Sequence, residues 1–88
     1  MPRVVYSPGV EQDLYRLPRT VFDSFQRAFD ALEIDPVAPG PRYRIKRLRG
    51  VSGDLVVRFD NWGAIYRVEG DQIRVLKVGP RSTLYRGR

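Results

Sequence analysis

The sequence predicts an α+β fold, in which an N-terminal strand and a helical hairpin pack on one face of a small, mostly antiparallel sheet of about four strands. The first half of the chain carries apolar residues at helical spacing, the second half alternates apolar and polar residues, and short turn signals separate the alternating runs. The length of 88 residues suits one domain, and the proline-rich stretch 36–41 is too short to separate two. We therefore predict a single domain over residues 1–88.

The chain begins with signals for a strand and then a helix. Residues Arg3–Tyr6 are a short run rich in strand formers, and Ser7-Pro8 stops it. Because serine is a good N-cap and proline suits the first helical position, we predict that a helix starts at Ser7-Pro8. Pro18 ends this helix or starts the next one. The apolar stripe of the first helix consists of Val10, Leu14 and Leu17.

The second helix has the clearest pattern of the chain. Its apolar positions keep a helical period, while charged and amide side chains occupy the opposite face. Asp35-Pro36 ends it, because the residue before a proline disfavours the helical conformation. A phenylalanine stripe could form a groove for a partner, but a domain of this size needs such rings in its core, and we favour core packing. The apolar positions are Val21, Phe22, Phe25, Ala28, Phe29 and Leu32.

The stretch Tyr43–Leu48 opens the part of the chain that reads as strands. Its phase is ambiguous, since Ile45 and Leu48 fall on opposite faces of a regular strand. A bulge or a position at the edge of the sheet would resolve the conflict. Further on, a turn at Glu69-Gly70-Asp71 leads into a last strand over Ile73–Val78.

A β-hairpin occupies the centre of this second half. Leu55–Phe59 and Trp62–Val68 alternate on either side of Asp60-Asn61, which suits a two-residue turn. That turn would pair Phe59 with Trp62, Arg58 with Gly63, and Val57 with Ala64. One face of the hairpin is then apolar, and the helices can cover it. We expect the other face, with Val56, Arg58, Gly63, Ile65 and Arg67, to be open and basic.

Composition excludes several kinds of chemistry and favours a polyanionic partner. The chain has no cysteine and no histidine, so we expect no disulfide, no thiolate metal site and no histidine base. Lys and Arg outnumber Asp and Glu by 16 to 10, and the stretch Arg42–Arg49 carries five bases and no acid. Such a charge distribution favours phosphate-rich partners, although a merely solvated basic surface is the alternative. With no apolar run of membrane-spanning length and no signal-peptide core, we expect a cytoplasmic protein.

Several motifs, in this order, resemble the RelE/ParE superfamily of toxins. They are Lys46-Arg47-Leu48-Arg49-Gly50, the hairpin Arg58 to Tyr66, Val75 to Arg81, and Tyr85. The resemblance covers nearly the whole chain. It implies a bacterial toxin that a cognate antitoxin neutralises. RelE-like members cleave mRNA in the ribosomal A site by attack of the ribose 2′-OH on the adjacent phosphate, without a metal or other cofactor. ParE-like members instead inhibit DNA gyrase.

The resemblance also implies roles for individual residues. Arg81 matches the C-terminal catalytic arginine, and Tyr85 matches a tyrosine proposed to stack on a base or assist proton transfer. Arg58 matches the first arginine of the hairpin motif. This chain has Gly63 where RelE-like nucleases usually carry an arginine, and Pro80 where a basic residue is usual. Because Arg58 would face Gly63, we hypothesise that Arg58 supplies the guanidinium; the alternative is a surface arginine that pairs across the strands or with a carboxylate.

Other basic residues complete the predicted site. Lysines used by well-known relatives would align near Asp54 and Val56, and both are absent here. Lys46 is our candidate proton acceptor, on the condition that desolvation favours its neutral form; a solvated edge lysine is the alternative. For Tyr85 the alternative is an aromatic packed on the sheet. The predicted RNA-binding residues are Arg44, Arg47, Arg49, Arg67, Lys77 and Arg86.

Three functions follow from these features. The leading one is a ribosome-dependent mRNA endonuclease toxin, with a cognate antitoxin, the ribosome and mRNA as partners. The alternatives are a non-catalytic, ParE-like gyrase inhibitor and a catalytically decayed member that acts only in an autoregulatory toxin–antitoxin complex. No Gly-rich phosphate loop or carboxylate cluster indicates a nucleotide or metal cofactor.

Overall fold

The computed structural model describes residues 1–48 and 53–84. In this part of the chain, five strands form one sheet in the order β1-β5-β4-β3-β2. No helix within it is long and apolar enough to cross a membrane. The elements are β1 (Arg3–Tyr6), α1 (Val10–Tyr15), α2 (Arg19–Ile34), β2 (Arg44–Arg47), β3 (Leu55–Phe59), β4 (Trp62–Glu69), β5 (Gln72–Pro80) and α3 (Arg81–Leu84).

The predicted α+β fold is confirmed, with one more strand in the sheet than the four expected. Strands β2 to β5 are antiparallel neighbours, and β1 joins β5 in parallel at the edge. The backbone N–H groups of Arg3 and Ser7 donate to β5 or the turn before it, at 2.8 and 2.9 Å. On the outer side of β1, the Val4 N–H donates to the Glu33 carboxylate at 2.8 Å. A side chain of α2 therefore satisfies a donor that the sheet edge leaves over.

The first helix starts later than predicted. It begins at Val10, and Gly9 rather than Ser7 is its N-cap, with a φ of 89°. The carbonyl of Ser7 accepts a hydrogen bond from the Val10 N–H at 3.1 Å, so a tight turn precedes the helix. The turn needs a left-handed conformation at its last residue, which glycine adopts without strain and serine does not.

The second helix has the predicted boundaries at Pro18 and Asp35. Asp35 is the C-cap, and its carboxylate accepts the N–H groups of Val37 and Ala38, both at 3.0 Å. These two bonds favour the charged form and hold the pKa of the Asp35 carboxyl below its ordinary value. The connector is also tied to the sheet, because the Tyr66 hydroxyl donates to the Pro36 carbonyl at 2.6 Å. Burial raises the pKa of that phenol, so Tyr66 remains a donor.

The central hairpin has the predicted register. Phe59 pairs with Trp62, Arg58 with Gly63, and Val57 with Ala64. The helix-facing side forms the main core, in which Phe25 of α2 packs edge-on against Phe59, with ring centroids 4.9 Å apart. Phe25 and Phe29 are buried, as expected of core residues, whereas Phe22 is half-buried and stacks on the exposed Tyr15.

The opposite side of the sheet is not open, contrary to our expectation. Val56, Ile65 and Leu84 are fully buried there and form a second apolar cluster, with Leu48 and Leu76 packed against it. The strands carry apolar residues on this side too, and the short helix α3 covers them. The phase conflict in β2 has the same origin. Ile45 packs on the main core and Leu48 on the second cluster, since β2 is an edge strand between two apolar surfaces.

Candidate functional site

Arg58 lies on the face of the sheet that carries α3. Its strand neighbours are Gly63 in β4 and Arg44 in β2, and the side chain passes over the glycine. The Arg58 Cγ is 3.6 Å from the point where a Cβ on Gly63 would stand, so the glycine makes room for the aliphatic part of the arginine. Sequence reasoning identified this pairing from the turn alone.

The guanidinium of Arg58 has an unusual environment. Its Nε is buried, and among residues 1–48 and 53–84 it has no hydrogen-bond partner. Leaving such a donor unsatisfied costs about 1–3 kcal/mol, which is why buried polar groups nearly always have partners in proteins. This nitrogen is enclosed by protein atoms, so its unpaired state marks a cost to stability.

Arg81 reaches the same region from the other end of the second half. It is the first residue of α3, and its backbone N–H donates to the Asn61 carbonyl at 2.8 Å. Its guanidinium Nη1 donates to the Asp60 carbonyl at 3.4 Å. The hairpin turn at Asp60-Asn61 therefore anchors both the backbone and the side chain of this arginine, and Asp60 adopts a positive φ of 53° there.

Arg58 and Arg81 share two neighbouring cavities. The larger cavity, of about 450 Å³, is lined by Arg58, Asn61, Pro80, Arg81 and Ser82. The smaller one, of about 100 Å³, is lined by Arg42, Arg44, Arg58, Phe59, Asp60 and Arg81. We call the two together the arginine pocket. The fold thus brings together two arginines that are far apart in sequence, and adds two more.

The arginine pocket is strongly cationic. Within the described ranges, none of its four arginines forms an ion pair, and its one carboxylate is that of Asp60. Like charges gathered at one opening raise the local potential and attract anions. The residue set suits a phosphodiester, since a guanidinium offers parallel N–H donors to phosphate oxygens.

Among the described residues, the predicted site residues Lys46, Arg47, Arg67 and Lys77 do not line this pocket. Lys46 is exposed on the same face as Arg44, opposite Val56, and lines neither cavity. Arg47 pairs with Leu55, which packs on the main core, so the register places Arg47 on the helix-covered side. Lys46 is thus two residues along β2 from Arg44, the strand partner of Arg58, whereas Arg47 is on the other face of the sheet.

Arg67 has a local partner instead of an open position. Its Nε donates to the carboxylate of Asp54 at 2.8 Å, and Asp54 is only 1% exposed. That hydrogen bond and charge raise the pKa of Arg67. Lys77 pairs with Ile65 in the sheet and is half-buried. The predicted residues Arg49, Tyr85 and Arg86 lie outside the described ranges.

Sequence reasoning missed part of the pocket. Arg42, Asn61 and Ser82 line it but were not among the predicted site residues. Signals for all three existed, because Arg42 opens the basic run, Asn61 belongs to the predicted turn, and Ser82 follows Arg81. The helix α3 carried no signal, since four residues are too few to display a period.

The chain is similar to known toxins in sequence and fold. A family model described as the ParE toxin of the type II toxin–antitoxin system parDE matches residues 4–85. One chain of the archaeal RelE–RelB complex from Pyrococcus horikoshii OT3 is similar at 28% identity and a TM-score of 0.78, over 91% of this chain and 94% of that chain. No curated protein sequence matches.

More distant structures share the fold alone. One is a chain of the toxin–antitoxin complex RelBE2 from Mycobacterium tuberculosis, at 21% identity and a TM-score of 0.74, covering 92% of this chain and all of the other (100%). Another is a copper-bound mutant toxin from Helicobacter pylori, at 15% identity and a TM-score of 0.72, covering 97% and 100%. Because the family model spans nearly the whole chain, the chain belongs to the ParE toxin family and hence to the RelE/ParE superfamily of toxins of type II toxin–antitoxin systems.

Proposed function

We propose that this toxin acts on RNA at the arginine pocket, as a ribosome-dependent mRNA endonuclease. The observation that supports the proposal is the convergence of Arg58 and Arg81 on the same two cavities. Two guanidinium groups on one opening suit a phosphodiester better than they suit a neutral or a cationic ligand.

The proposed reaction is an internal transfer at phosphorus. The ribose 2′-oxygen forms a bond to the adjacent phosphorus, the bond from phosphorus to the 5′-oxygen breaks, and the products are a 2′,3′-cyclic phosphate and a 5′-hydroxyl. Arg58 and Arg81 stabilise the negative charge that builds up on the phosphoryl oxygens. One proton leaves the 2′-hydroxyl and one reaches the 5′-oxygen. Lys46 and Tyr85 remain our predicted proton carriers, and Asp60, which lines the pocket, joins them.

The test is to map mRNA 5′ ends on translating ribosomes exposed to the purified toxin. We expect cuts in phase with codons for the wild-type protein. Loss of one charge-stabilising donor typically slows such reactions by about 10²–10³-fold, so Arg81→Ala and Arg58→Ala should each do so. Arg27→Ala is the matched control, because Arg27 is an exposed arginine on α2, away from the pocket. Equal cutting by all four proteins would contradict the proposal.

A second candidate is a non-catalytic gyrase inhibitor, which the match to a ParE toxin model favours. Glycine at position 63 and proline at position 80 support it as well, since RelE-like nucleases usually carry basic residues there. Inhibition of gyrase supercoiling by the purified protein, with mRNA left intact, would decide for this candidate.

We also propose that a cognate antitoxin neutralises the protein, as the similar structures come from toxin–antitoxin complexes. Growth arrest on expression of the toxin alone, relieved by co-expression of the adjacent open reading frame, would test this. A ribosomal target would place the protein in the cytoplasm.

A further inference from the structure

Two glycines face each other across strands β4 and β5, close to the arginine pocket. Gly63 and Gly79 are directly paired and both are buried. A Cβ on Gly63 would stand 2.9 Å from the Leu84 Cδ2 and 3.2 Å from the Val57 carbonyl oxygen. Among residues 1–48 and 53–84, no atom would be within 4 Å of a Cβ on Gly79. Of the two glycines, Gly63 is therefore the one whose Cβ position is filled by a side chain of the described part of the chain.

That neighbour belongs to α3. Leu84 is fully buried in the second apolar cluster, with Val56 and Ile65. The Val57 carbonyl is part of the backbone of β3, so it cannot retreat without disturbing the strand pairing. A side chain at position 63 would therefore clash with Leu84, and the clash can be relieved only if Leu84 moves. Leu84 is itself enclosed by its neighbours, so the move is costly.

A movement of Leu84 reaches Arg81, because α3 is a single turn that runs from one residue to the other. A lone helical turn has little stability of its own, so contacts with the sheet must hold it in place. Its beginning is held by the Arg81 N–H on the Asn61 carbonyl at 2.8 Å. Its end is held by Leu84 above Gly63.

We propose that Gly63 is a positioning residue for Arg81. By having no side chain, it opens the hollow that receives Leu84, and Leu84 in turn holds α3 so that the Arg81 guanidinium stays beside Arg58. The consequence for RNA rests on the function proposed above, whereas the positioning of Arg81 does not.

The test is amide hydrogen exchange, measured by NMR, in Gly63→Ala and in Gly79→Ala. For Gly63→Ala we expect protection of the Arg81 amide to fall about tenfold or more, while the amides in the middle of β5 keep theirs. Gly79→Ala is the matched control, a buried glycine in the paired strand position, and should leave the Arg81 amide unchanged. An effect on protein stability alone would lower protection throughout the sheet in the same proportion.

A second variant, Leu84→Ala, tests the same contact if the Gly63→Ala protein does not fold. It removes the contact between Leu84 and Gly63 without adding an atom. We expect the same selective loss of protection at the Arg81 amide. Wild-type protection there in Leu84→Ala would overturn the proposal, whatever Gly63→Ala does. Since exchange is read without RNA, loss of Arg81 protection with unchanged mRNA cleavage would instead count against the proposed function and leave the positioning intact.

Discussion

The two faces of the sheet are covered in different ways. On one face, α1 and α2 bury a continuous core that includes Phe25, Phe29 and Tyr66. On the other face, the fully buried members of the apolar cluster within the described ranges are Val56, Ile65 and Leu84, and the arginine pocket lies beside them. The large core supports the fold, and the small cluster leaves one end of its face for charged side chains. Substitutions on the two faces should therefore have different consequences.

The largest expected effect is a loss of stability from the helix-covered face. Phe25→Ala removes a fully buried ring that contacts Phe59, Phe29 and Trp62, and should lower the free energy of unfolding by about 3–5 kcal/mol. The matched variant Phe22→Ala lies one helical turn away on the same helix but is only half-buried, so it should cost clearly less. Urea unfolding followed by circular dichroism measures both free energies of unfolding. Equal losses of stability would contradict the difference that we expect between the buried Phe25 and the half-buried Phe22.

At the arginine pocket, in contrast, we expect a substitution that does not lower the free energy of unfolding. Arg58→Met keeps the aliphatic length above Gly63 but removes the buried, unpartnered Nε, so the free energy of unfolding should stay unchanged or rise by about 1 kcal/mol. RNA binding should fall in the same protein. A variant that loses both stability and RNA binding would show that Arg58 is a structural residue and that the second face has no separate role.

The smallest effect concerns the connector after α2, and it depends on pH. The pKa of the folded Asp35 carboxyl lies below its ordinary value of 3.8, because the Val37 and Ala38 N–H groups bond to the charged form. Its contribution to stability is therefore fully present above the unfolded pKa and is lost as the pH falls through the folded pKa. Asp35→Ala should reduce the slope of stability against pH in that acid range and leave RNA binding unchanged. Thermal melts from pH 5 downward test this, and an unaltered slope would contradict it.

The parts of the fold that the sequence predicts are those with local signals. The alternation around Asp60-Asn61 gave the hairpin register, and so the pairing of Arg58 with Gly63. The position of β1 in the sheet was not predictable. Its partner β5 lies at the other end of the chain, and a pairing over such a distance produces no local sequence pattern. Neither was α3, whose single turn is held by Leu84 rather than by helix propensity.

The predicted site also divides into residues that local sequence signals locate and residues whose position depends on tertiary contacts. Arg58 and Arg81 meet because one follows from the hairpin register and the other from the resemblance to the toxin family. The sequence could not say that Arg67 is engaged by Asp54 or that Arg47 turns to the helix-covered face, since both depend on tertiary placement. A basic run in a sequence therefore indicates a polyanionic partner but not which of its side chains share one opening.

The most direct test of the account is a double-mutant cycle on Arg58 and Arg81. The affinity for a short single-stranded RNA would be measured at one fixed salt concentration for Arg58→Ala, Arg81→Ala and the double variant. If both guanidinium groups hold one phosphate, the two losses should be coupled by about 1 kcal/mol or more. Losses that add to within about 0.5 kcal/mol would mean that the two arginines act at separate places, and would contradict a shared site.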